Sequence, residues 1–148
     1  MNLSDMFAAA RGSPIEVDGV MLTRIKRIVF EKGIHKLKLS MLSANSEFPQ
    51  GVRLSLDKGK MCLGGDEGRD FVLWMETAPK QCTFFVDVER SAELALWNVW
   101  KVGLTTNAWI GASAMHVVHS GRTISFHCSD GSETLDLSNL RFELEHLI

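Results

Sequence analysis

The feature that most restricts this fold is the two-residue period of its apolar positions. In the last segment Leu140, Phe142 and Leu144 alternate with Arg141, Glu143 and Glu145, the pattern of a strand with one buried and one solvated face. From Val20 onward, short apolar or alternating runs occupy 20–30, 34–42, 51–57, 60–63, 71–76, 82–88, 93–102, 113–119, 122–128 and 140–147, with turn residues between them. The run 20–30 is the least regular, because Leu22, Ile25, Ile28 and Val29 also fit a helix face; it is read as a strand. About nine or ten strands at this spacing predict an all-β fold, either an antiparallel, jelly-roll-like β-sandwich or an open barrel. Ahead of them, Ser4, the alanines 8–10 and Gly12 supply a cap, a helix-forming run and a stop, which predicts a short N-terminal helix over 3–12.

A chain of 148 residues with 45% hydrophobic residues can bury roughly 68% of its unfolded surface as one unit, with no metal or disulfide to brace it. Three prolines, no glycine/serine linker and no internal repeat leave no place to divide the chain, so 1–148 is read as a single domain. The longest apolar runs, such as Phe71–Met75, are about five residues, against the roughly 20 that a membrane-spanning helix needs. Met1–Gly12 lacks the basic region of a secretory signal. Cys62, Cys82 and Cys128 are an odd number and form no C-x-x-C pair; they read as reduced core thiols. The expected location is cytoplasmic, with no cofactor.

Register arithmetic brings three aromatic residues together. A loop at 78–81 between the runs 71–76 and 82–88 sets Trp74 opposite Phe85, and a second loop at 90–92 sets Phe85 opposite Trp97. One face of this three-stranded unit then carries Leu73, Met75, Phe84, Val86, Val88, Leu94, Leu96 and Trp100 as core. The other carries the row Trp74, Phe85, Trp97 with Val72 and Val99 beside it and charged residues around it, the composition of a covered or binding surface. The same register opposes Glu89 and Glu93, which counts against it. Three covers compete for the row: another segment of this chain, with Met6 and Phe7 of the N-terminal helix foremost; a second copy; or a small ligand such as a glycan. Asn98 interrupts the core face between Leu96 and Trp100 and needs a hydrogen-bond partner there, either backbone or ligand. Trp109 is expected to plug one end of the core.

A turn at Ser120-Gly121 pairs Ala114 with His127 and leaves His116, Ser125 and His127 on one face, opposite Met115, Val117, Ile124, Phe126 and Cys128. Two imidazoles and a hydroxyl suit acid–base chemistry or two metal bonds near neutral pH, although a solvated sheet face is the plainer reading. No third metal ligand stands at a recognisable spacing. Asp66, Glu67 and Asp70 match no EF-hand loop, and Asp130-Gly131 reads as a hairpin turn. Neither a nucleophile elbow, a phosphate loop nor a dinucleotide fingerprint is found.

The net charge of −2 hides a local concentration: Arg24, Lys26, Arg27, Lys32, Lys36 and Lys38 against Glu31 alone. A hairpin about Lys32-Gly33 would make them a basic stripe. The acidic remainder and the lack of interleaved aromatics disfavour nucleic acid, and protection of an edge hairpin is the preferred role. The expectation is therefore a non-catalytic ligand-binding or homo-oligomeric assembly module centred on Trp74, Phe85, Trp97 and Asn98. The alternative is a small β-barrel enzyme using His116 and His127, with Ser125, as acid–base or metal groups.

Overall fold

The computed structural model describes residues 2–148. A helix, α1 (Leu3–Ala9), and a small ribbon, β1 (Ile15–Val17) with β2 (Val20–Leu22), precede the main sheet. That sheet contains β3 (Lys26–Ala44), β4 (Gln50–Leu56), β5 (Lys60–Leu63), β6 (Asp66–Gly68), β7 (Asp70–Trp74), β8 (Gln81–Val102), β9 (Thr105–Asn107), β10 (Ala114–Ser120), β11 (Thr123–Ser129) and β12 (Leu140–His146). Its order is β10-β11-β12-β3-β8-β4-β7, with β5 and β9 also on β8, and it does not close. All its pairings are antiparallel. The fold is an all-β sandwich with one short N-terminal helix.

The two longest strands correct two expected hairpins. Where hairpins were expected at Lys32-Gly33 and at 90–92, β3 and β8 run straight through as strands of 19 and 22 residues, paired with each other along most of their length. Between the pairs Glu31 with Ser91 and Gly33 with Val88 the register slips by one, so that Glu89 and Arg90 stand opposite Lys32 alone. This is a β-bulge, which bends the strands it interrupts and lets a sheet fold over on itself. Gly33, at φ 136°, accommodates the bend with a backbone few other residues adopt. Beyond the bend in one direction β8 pairs with β5, and in the other with β4 and β9.

Residues from both sides of the bend share one core: Leu37, Leu39, Phe84 and Val86 from one, Val52, Leu54, Leu94 and Leu96 from the other, with Phe126 and Phe142 stacked at 4.3 Å. On β8 the buried positions stay even-numbered from Cys82 to Trp100, apart from the exposed Arg90 at the bulge and the additional buried Trp97 and Val99. A satellite cluster of Phe7, Ile15, Leu22 and Ala114 seats α1, which is capped by Asn2, whose side-chain oxygen accepts from the Asp5 N–H at 2.9 Å, and not by Ser4. Cys82 and Cys128 are buried and Cys62 is half-buried, all three as free thiols, and burial pushes the first two above the usual thiol range. Among the described residues no helix is long and apolar enough to cross a membrane.

Candidate functional site

The aromatic row does not assemble as its register predicts. β4 lies between β7 and β8, so Trp74 aligns with Gly51 and then Val99, while Val72 aligns with Arg53 and then Trp97. Trp74 and Trp97 do share the outer face of this part of the sheet. Phe85 belongs to the same face of β8 but lies past the bend, between Lys36 of β3 and Cys62 of β5. A non-local partner has displaced the local hairpin: β4 brings Val52, Leu54 and Leu56 to the core and places Gly51 beneath Trp74, where a Cβ would come within 2.7 Å of the indole.

Trp97 is covered by its own chain, though not by the N-terminal helix. The ring of Trp109 packs on it at 4.8 Å with a 38° tilt, and the Arg53 guanidinium stands 5.5 Å from it, held by Asp70. Lys101 covers Trp74 in the same way, with Nζ 4.4 Å from the ring. Trp109 is not a plug in the core; it sits outside the sheet, 42% exposed, with φ at 60°. A left-handed backbone costs a bulky residue about 1–2 kcal/mol, so the surroundings must impose it.

Arg24 does so. Its Nη1 donates to the Trp109 carbonyl at 2.8 Å, its Nη2 to Gly111 at 2.9 Å and its Nε to Ser113 at 3.0 Å, while the Trp109 indole N–H donates back to the Arg24 carbonyl at 3.0 Å. The guanidinium also lies 4.6 Å above Phe7, tying the loop to α1. Burial lowers its pKa, but an arginine remains cationic. Arg24 therefore leaves the supposed basic stripe. Within that stripe Arg27 pairs with Glu93 at 3.2 Å and Lys38 with Glu145 at 3.3 Å. There is no hairpin to protect either, since β3 has β12 on one side and β8 on the other over 37–40.

Exposed apolar residues concentrate in the segment that ends at Trp109 and Ile110. Among the described residues twelve large hydrophobic ones are exposed, and four of them, Val102, Leu104, Trp109 and Ile110, fall between 102 and 110; Leu104 is as exposed as a free side chain, at 103%. Val102 and Ile110 line a groove of about 590 Å³ together with Phe48, Trp100 and Asn107 and the acids Glu47 and Glu133. Sequence reasoning missed this cluster, although V-x-L followed by W-I around turn residues was there to be noticed.

A buried polar network anchors the loops behind the groove. Asn98 donates to the Ser129 carbonyl at 2.9 Å, the backbone solution to its burial. Asp130 does not turn a hairpin. It is 1% exposed in the long β11–β12 connection, and its carboxylate accepts from Ser46 Oγ at 2.6 Å, Gln50 Nε2 at 3.1 Å and the Ser132 N–H at 3.1 Å. Gly131 follows because a Cβ there would overlap Trp100.

On the far hairpin the turn is Gly121-Arg122, and the register moves by two, which preserves the faces and sets His116 directly opposite His127 with ring centroids 6.1 Å apart. Ser125 shares that face, opposite Val118. His116 Nδ1 donates to the Met21 carbonyl at 3.1 Å, leaving Nε2 as its basic nitrogen. Burial first, then Arg141 and His116, lower the His127 pKa against the opposing pull of Glu143. A second pair, unforeseen, joins His35 Nδ1 to His146 Nε2 at 3.2 Å beside Phe30. Asp70 is engaged by Arg53, and Glu67 lies 3.5 Å from Lys60. Among the described residues no three His, Cys, Asp or Glu side chains are grouped to hold a metal ion. Compared with models of protein families, with curated proteins and with solved structures, the chain matches none.

Proposed function

We propose that this protein is a non-catalytic assembly module that pairs with a second copy of itself through the loop end bearing Val102, Leu104, Trp109 and Ile110. The observation that carries the reading is Leu104, fully exposed at the hairpin tip between Val102 and Thr105, in a nine-residue segment that exposes three other large apolar side chains and borders a groove with both apolar and acidic walls. Large apolar side chains left exposed close together in the chain mark protein interfaces. A knob and a groove on one small patch suit a two-fold contact, in which each Leu104 enters the other copy's groove. Burying one leucine fully contributes about 1.5–3 kcal/mol, and the two-fold relation doubles it. Rigid support fits the same role, since Arg24 and the Trp97–Trp109 stack hold the loop before any partner arrives. Three free thiols suit a reducing compartment, and we place the protein in the cytoplasm.

Light scattering across micromolar to millimolar concentrations tests this. The expected result is a dimer that Leu104→Asp converts to monomer with an unchanged far-ultraviolet spectrum. A monomer at every concentration, or a dimer indifferent to Leu104→Asp, overturns the reading.

A further inference from the structure

The sheet fails to close at a particular place. Lys26–Glu31 of β3 pairs with β8 on one side and with no strand on the other. β10 pairs with β11, and its other edge meets the chain opposite through one isolated bridge, Thr23 with Met115, and the His116–Met21 hydrogen bond. Between these two unpaired edges lies a cleft of about 520 Å³, and a second hollow of about 240 Å³ adjoins it, with His119 lining both. The larger is walled by Met21, Leu22, Ile25 and Val117; the smaller is floored by the core residues Phe30, Leu37 and Leu144. The two meet at His119, a mouth of mixed polarity beside an apolar hollow, of a size that small ligands occupy.

The charges around the two hollows are all of one sign. Arg11, Lys26 and Arg27 line the larger hollow and Arg122 the smaller, and no acidic residue lines either. Arg27 is engaged by Glu93 from outside and Arg122 donates to the Leu147 carbonyl at 3.0 Å. Lys26 and Arg11 make no ion pair among the described residues. Lys26 is the telling residue. It is half-buried and stands opposite Leu96, on the same face of β3 as Ile28 and the buried Phe30. A lysine on the core side of a strand, without a carboxylate, is electrostatically incomplete.

We infer that the open seam between β3 and β10 binds a small organic anion with an apolar body, its carboxylate meeting Lys26 and Arg11 and its chain entering past His119 toward Phe30. This site is separate from the loop end used for self-association, and its test does not depend on that reading.

The test is isothermal titration of the full chain with decanoate, with decan-1-ol and decylamine as the uncharged and cationic counterparts. One decanoate per chain is expected, with decan-1-ol and decylamine at least tenfold weaker. Lys26→Met, which keeps the apolar stem, and Arg11→Glu, on an exposed segment, are each expected to weaken decanoate at least tenfold at unchanged melting temperature. Val117→Trp, which fills the cleft, should abolish binding. No saturable decanoate binding, equal binding of decan-1-ol, or affinity unmoved by both Lys26→Met and Arg11→Glu overturns the proposal.

Discussion

Trp97 and Phe85 stand on the same strand and the same face of it, yet Trp97 is 8% exposed and Phe85 41%. Alternation along β8 assigns both to the outer side of the sheet. The difference is the roof. Over Trp97 lies the ring of Trp109, in the loop after β9, fastened by Arg24 from eighty-odd residues upstream. Beside Phe85 stands the flexible Lys36 side chain, its ammonium 6.0 Å from the ring. Strand period thus says which way a side chain points, while exposure is decided by whatever distant segment comes to lie above it.

The largest expected effect separates these two positions directly. Trp97→Glu puts a charge under the roof and removes the stack on Trp109, and should cost about 3–5 kcal/mol in urea unfolding. Phe85→Glu should stay within about 0.5–1 kcal/mol. Similar losses at both sites would erase the distinction. It follows that lost association in Trp97→Glu alone would report misfolding as readily as a broken interface, which is why Leu104 is the informative position.

The roof can also be lifted from its far side. Arg24→Ala removes three bonds to carbonyls of the 109–113 loop, and should cost about 2–3 kcal/mol. Acrylamide should quench tryptophan emission more strongly as the Trp97–Trp109 pair opens. Arg24→Lys should rescue little, because one ammonium cannot span the carbonyls that a guanidinium fork reaches. A variant with wild-type quenching would show that the strained Trp109 backbone holds itself.

How much of this was legible follows the same division. The core face of β8 was read correctly from Phe84 to Trp100, but through an imagined hairpin that happened to conserve its parity. Two signals spoke against the turn: Glu89-Arg90-Ser91-Ala92 contains no glycine, proline or asparagine, and the proposed register opposed Glu89 to Glu93. On β3 the buried positions change from even at Phe30 to odd at Leu37 and Leu39, a one-residue slip that marks a bulge where a hairpin was expected. Strands this long lie well outside the usual three to ten residues, so a length prior misled where phase did not. The insertion of β4 between β7 and β8 is a pairing of distant segments that no local spacing encodes. Nor does any residue pattern announce that Trp109 adopts a positive φ. The histidine face, by contrast, survived a wrong turn, because a shift of two residues leaves side chains on their own side.

That third outer patch carries the smallest expected effect and extends the comparison to a half-covered site. His127 lies between His116 and Arg141 on neighbouring strands, and burial and those cations hold its folded pKa below the ordinary value. In the unfolded chain the imidazole titrates near 6.5, so below that pH the unfolded state binds more protons than the folded one. Stability contributed by neutral His127 is therefore complete above about pH 6.5 and declines as pH falls through the lower folded pKa. Urea unfolding of wild type and His127→Gln from pH 7.5 to 5 should show a shallower acid loss in the variant. Equal slopes in wild type and His127→Gln would mean that the cover over His127, unlike the roof over Trp97, is too thin to act on what lies beneath it.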